Sequence, residues 1–148
     1  MTLQEKLNSD YKAAVKAGDK LRLETIRLLR AQLKDEQINK RRALTTDEEI
    51  AVLSNAAKKR REAIELYKQA NRDDLLEKEM TELAIISAYL PKALSAEELR
   101  QLVEAAIKEC GAASASDMGK VMAKIMPQIK GRADGKVVQQ MVRERLAG

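Results

Sequence analysis

Apolar residues in this chain return every three or four positions, and no segment alternates with period two. That spacing predicts amphipathic helices and no strands. Start and stop signals divide the pattern. Thr2-x-x-Glu5, Thr46-x-x-Glu49 and Ser95-x-x-Glu98 fit reciprocal capping boxes, and Asp19, Asn71, Ser116 and Asp134 fit single N-caps. Gly18, Gly111 and Gly131 fall where helices should stop, and Pro91 closes the apolar run before it. Seven helices are expected, near 2–17, 19–40, 46–69, 72–89, 95–110, 116–129 and 134–147.

The YLPKALSAEE link around Pro91 is the best boundary. The expected fold is all-α: a domain at 1–90 built as a bundle of about four helices, then a three-helix tail domain at 91–148. In the tail, helix five lines up Leu99, Leu102, Val103, Ala106, Ile107 and Cys110. Helix six carries the rows Met118–Met122–Met126 and Val121–Ile125–Ile129, and helix seven supplies Val138, Met141, Val142 and Leu146. Three apolar stripes that each need a partner make a small cluster. Pro127 cannot donate to the Ala123 carbonyl, so helix six should kink or end there.

Composition narrows the chemistry. Among 148 residues there are three Tyr and no Phe or Trp, which suits aliphatic helical cores better than sheets. There is no histidine, which removes the commonest general base and metal ligand. One cysteine, Cys110, allows neither an intrachain disulfide nor a thiolate cluster, and reads as a core residue. No glycine-rich phosphate loop occurs. The acidic cluster Asp73, Asp74, Glu77, Glu79 and Glu82 reads as first-turn and solvated carboxylates rather than as a metal site. No metal, no cofactor and no catalytic residue is expected. The charged N-terminal segment and the absence of any long apolar run point to a cytoplasmic chain with no membrane partner.

Charge supplies the positive evidence. The net charge is +5, and residues 114–148 hold seven Lys/Arg against three Asp/Glu. Lys130, Arg132 and Lys136 surround the turn between Gly131 and Gly135, and Lys120 with Lys124 forms a second row on helix six. Any RNA phosphate contact at this corner should come from these five side chains, and a tight inter-helix turn with solubilising charges is the alternative. A secondary basic ridge, Arg27, Arg30 and Lys34 with Lys20, runs along helix two opposite Leu21, Leu28, Leu29 and Leu33. The KKRR run at 58–61 points around most of a helix and makes no single surface. Its Arg60 should lay its stem along the core edge and reach out to water.

The stretch MGKVMAKIMPQIKGRADGKVVQQMV, from Met118 to Val142, resembles the YqeY family and the related tail domain of the B subunit of the aspartyl/glutamyl-tRNA amidotransferase. KKRREAIELYKQANRDDLLEKEMTELAIISAYLP upstream resembles the same family. The resemblance implies an N-terminal helical domain and a three-helix tail, and tRNA or another structured RNA as partner. It also implies a setting beside tRNA-charging or amidating enzymes. A carbon–nitrogen ligase activity with glutamine as amido donor would be inherited from the relative, because no segment here corresponds to its catalytic centres. A protein–protein adaptor that uses the methionine row of helix six is the alternative reading.

Overall fold

The computed structural model describes residues 1–147 and is all-α, with seven α-helices and no strand among them. They are α1 (Leu3–Ala17), α2 (Lys20–Lys40), α3 (Thr46–Gln69), α4 (Asp73–Ser87), α5 (Ala96–Cys110), α6 (Met118–Ile129) and α7 (Gly135–Ala147). The chain forms two compact units, Met1–Leu90 and Pro91–Gly148.

In the first unit, Gly18 takes a left-handed conformation (φ 69°) that stops α1, and Asp19 caps α2 by accepting from the Arg22 amide at 3.1 Å. The tight turn lets α2 pack back along α1. Helix α2 also packs against α3 and α4, which pack on one another. Leu7, Ile26, Leu29, Leu33, Leu53, Ala57 and Ile86 form the shared core. The face of α2 turned inward is Thr25, Ile26, Leu29 and Leu33. Leu28, expected on that face, is 39% exposed, because it sits at the edge of the arc that α1, α3 and α4 cover. The Tyr89 hydroxyl donates to the Asp10 carboxylate, tying the end of the unit to α1. Burial, followed by that bond, holds the Tyr89 pKa far above its ordinary value.

Two cap assignments shift. Helix α3 is capped by Thr45 and Glu48, not by Thr46 and Glu49. TTDEE permits either register, and the neighbours choose. Glu48 also meets Arg42 at 2.7 Å and Lys40 at 2.9 Å, whereas Glu49 has its carboxyl pushed up by burial. Arg42, Lys40 and the Thr45 amide hold Glu48 far below the usual carboxylate range. A carboxylate with a depressed folded pKa stabilises the fold above its unfolded pKa, and that contribution is lost as pH falls. A Glu48→Gln variant should therefore be less stable than the parent at neutral pH. The gap should narrow as pH falls below about 4.5, the ordinary carboxyl value, and chemical denaturation at stepped pH measures it. The second shift is Asn71, which does not cap α4. It takes the left-handed conformation (φ 54°) that asparagine tolerates, and α4 starts two residues later.

The acidic cluster of α4 is dispersed. Asp74 pairs with Arg72 at 3.3 Å, while Glu79 and Glu82 turn toward Arg60 of α3. Arg60 does not reach out to water as expected. Its side chain is 16% exposed, and its Nε lies 2.7 Å from Glu82 and 3.6 Å from Glu79, because α3 and α4 close over it. No group of three potential metal ligands occurs among the described residues.

In the second unit, α5, α6 and α7 bury Leu99, Val103, Ala106, Val121, Ile125, Ile129, Val138 and Val142. Ser116 does not cap α6. A short 3₁₀ turn, Ala115–Asp117, precedes the helix, and Asp117 accepts from the Ala113 and Ser114 amides at 3.0 and 3.4 Å. Those two bonds hold the Asp117 carboxyl below its ordinary pKa. Helix α6 runs through Pro127 to Ile129 rather than ending at the proline. Met118 and Met122 pack, partly buried, on the core, and Met126 lies 42% exposed beside Gly135.

The two glycines of the turn differ. Gly131 has φ 74°, the left-handed region that a side chain strains. Gly135 begins α7, and a Cβ there would meet only Met126 at 3.7 Å, an ordinary contact. Gly131→Ala should cost about 1 kcal/mol. Gly135→Ala should be neutral or stabilise by about 0.5 kcal/mol. Paired thermal melts of the two variants separate these outcomes.

Candidate nucleic-acid interface

The ridge on α2 is more organised than its spacing implies. Arg27 donates through Nη2 to the Tyr11 hydroxyl of α1 at 3.1 Å. The guanidinium carbons of Arg27 and Arg30 lie 5.9 and 4.9 Å from the centroid of the Tyr11 ring. One aromatic ring thus holds two cations in place, in the geometry of cation–π attraction. The Arg27 bond, and then its charge, lowers the Tyr11 pKa.

Helix α2 ends at Lys40 with Arg41 in the left-handed conformation (φ 56°). That reversal turns Arg41 and Arg42 back beside the ridge. Arg27, Arg30, Lys34, Arg41 and Arg42 then line one groove of about 640 Å³ between α1 and α2, with no carboxylate in its lining. Arg42 is anchored by the bidentate pair with Glu48, at 2.7 and 3.1 Å, so its side chain is oriented and its charge is partly answered. Among the described residues, Lys34 and Arg41 have no carboxylate within ion-pair distance.

The reading of the ridge alone missed Arg41 and Arg42. A signal was present: residues 20–42 hold eight Lys/Arg against three Asp/Glu, a net of +5 in 23 residues. The tail, at +4 over 35 residues, is less dense. Which of those eight charges share a surface depends on the direction of the chain after α2.

The five tail residues are not all available in the same way. Lys120 and Lys124 stand one turn apart on the exposed side of α6, but Lys124 pairs with Glu109 of α5 at 2.7 Å. Arg132 is half-buried. Its Nε donates to the Lys92 carbonyl at 3.1 Å, and its own carbonyl accepts from the Leu94 amide at 2.9 Å, so it fastens residues 92–94 to the turn. Lys130 and Lys136 are exposed. Asp134 accepts from the Lys136 amide at 2.9 Å and thus sits on the α7 N-terminus. Its negative charge there disfavours a phosphate at that helix end. The structure thus engages Lys124 and Arg132 in protein contacts, and Lys120, Lys130 and Lys136 are exposed at the corner.

Cys110 is half-buried against the second core, its thiol 3.7 Å from the Lys120 carbonyl. No helix of the described residues is long and apolar enough to cross a membrane.

Two curated relatives are similar in sequence to this chain. The Altered inheritance of mitochondria protein 41, mitochondrial, of Pyrenophora tritici-repentis is 31% identical over 145 residues, covering 94% of this chain and 78% of that protein. The protein of the same name from Eremothecium gossypii is 37% identical over 107 residues, covering 70% of this chain and 58% of its own length. The family model described as Yqey-like protein matches residues 4–146, which spans all seven helices apart from their outermost residues. The chain belongs to the YqeY family.

Proposed function

We propose that this chain is a non-catalytic module that engages the sugar–phosphate backbone of a structured RNA, with tRNA the class that the family resemblance suggests. One observation carries the reading. The cations of the α2 ridge and those just after the helix meet in a single groove whose lining has no carboxylate. Fixed guanidinium groups suit phosphate oxygens, and their contacts position an RNA without reading its sequence. The exposed lysines Lys120, Lys130 and Lys136 are a second set of phosphate contacts in this reading. A tRNA-charging or amidating enzyme is the partner class the resemblance adds, with the chain itself contributing binding and no chemistry. The curated relatives carry mitochondria in their names; for this chain, cytoplasm is the compartment proposed.

Binding of bulk tRNA across a salt series tests the reading. Each phosphate contact adds about −0.7 to −0.9 to the log–log salt slope. An Arg30→Gln, Lys34→Gln, Arg41→Gln triple variant should therefore flatten the slope by about 2 to 3. A Lys120→Gln, Lys130→Gln, Lys136→Gln variant should weaken binding less. Absence of saturable binding at low salt, or a slope that the groove variant leaves unchanged, overturns it.

A further inference from the structure

A surface that only tracks phosphates needs charge, and a convex ridge would supply it. The α1–α2 site is instead concave, at about 640 Å³, within the range of pockets that hold small ligands. Its lining is also chemically mixed. Ile38, Ala31 and Ala43 supply exposed apolar surface, and Gln4, Asn8 and Gln37 supply amides that can both donate and accept hydrogen bonds. The Gln4 and Gln37 amides stand 3.5 Å apart across the two helices, a long contact that a ligand can replace.

Arg41 is the second observation. At Gly18, Gly111 and Gly131 the left-handed position beside a helix end is glycine, which meets no steric cost there, and after α3 it is Asn71, which tolerates it. After α2 the chain places an arginine in that conformation, and its side chain lines the groove. Strain held at a binding surface points to a role for the side chain.

We propose that this groove is a nucleotide pocket, in which Arg30, Lys34 and Arg41 take the phosphate, the three amides take the edge of the base and Ile38 takes its face. The nucleotide is either free or an unpaired residue of a bound RNA. The proposal rests on the reading above for the cations of the groove but not for the RNA. An apolar wall at Ile38 beside cations and amides matches a flat heterocycle joined to a phosphate better than a bare anion.

Calorimetric titration of the full chain with AMP, ribose 5-phosphate, inorganic phosphate and a short oligouridylate tests it. AMP or the oligouridylate should bind saturably, and ribose 5-phosphate and inorganic phosphate should bind at least about tenfold more weakly, since they lack the base. Two variants probe the walls. Ile38→Glu alters a side chain that is already 61% exposed and adds a carboxylate to the groove. Arg41→Gly removes a cation and relieves the backbone, so it should melt at or above the parent's temperature. Each should weaken nucleotide binding by at least about tenfold.

No nucleotide binding at millimolar concentration overturns the proposal, as does inorganic phosphate binding as tightly as AMP. Binding that both variants leave intact also overturns it, and so does an acidic helical peptide that binds where AMP does not. AMP binding with no tRNA binding keeps the pocket and removes the RNA reading. tRNA binding with no AMP or oligouridylate binding keeps the RNA reading and removes the pocket.

Discussion

Ile125→Ala should destabilise the second unit by about 3 kcal/mol and leave the first folded. Ile125 is fully buried at the centre of the row Val121–Ile125–Ile129, which faces α5 and α7. Truncation removes three carbons from the middle of a small aliphatic core, where no aromatic side chain can swing in to fill the space. Residues 91–147 can hold only about 3 to 9 kcal/mol of stability at the usual level per residue, so the loss is a large fraction of the whole. Native-state hydrogen exchange reads the outcome by element. Amides of α5, α6 and α7 should lose protection while those of α1 to α4 keep it, as expected if the two cores fold as separate domains. A uniform loss across all seven helices would show one cooperative unit instead.

The second large effect is expected at Arg60. Replacement by Met keeps the apolar stem and removes the charge between α3 and α4. Two carboxylates then face one another, Glu79 and Glu82, whose side chains are only 19% and 13% exposed. Breaking a fully buried pair costs about 3 to 5 kcal/mol, and the residual exposure here brings the expectation to about 2 kcal/mol. Adding Glu82→Gln should recover much of the loss, since it removes the repulsion that the first change creates. Urea denaturation of the parent, the single and the double variants forms the comparison. A neutral Arg60→Met would mean the pair behaves as an ordinary surface ion pair.

Arg60 also shows where the sequence stops being informative. Its position on the α3 stripe was readable from helical periodicity, but the direction of its guanidinium was not. Two carboxylates on α4, 19 and 22 residues away, draw it inward, and only the packing of α3 on α4 brings them near. Thr45 and Glu48 give a smaller case of the same kind. Either register of TTDEE caps a helix, and Lys40 with Arg42 selects one of them. Arg132 sits in a basic turn that its spacing makes a candidate for phosphate contact, and its Nε also fastens a distant backbone carbonyl. The Lys92 carbonyl that it holds lies 40 residues upstream.

The groove follows the same logic. The density of positive charge over residues 20–42 can be counted in the sequence. That Arg41 and Arg42 join Arg27, Arg30 and Lys34 depends on a left-handed residue after Lys40 and on the seating of α1 against α2.

By itself the sequence determined the all-α class, the seven helices to within a few residues at their ends, the link around Pro91 and most of the core faces. Those properties follow from spacing, caps and turn residues, which act over a few positions. The partners of Arg60, Lys124 and Arg132, the cap register of α3, the exposure of Leu28 and the gathering of five cations in one groove were decided only by tertiary structure. Long cationic side chains reach about 6 Å from the backbone and take whichever oxygen or ring the packed helices present, so their roles are set after the cores have formed.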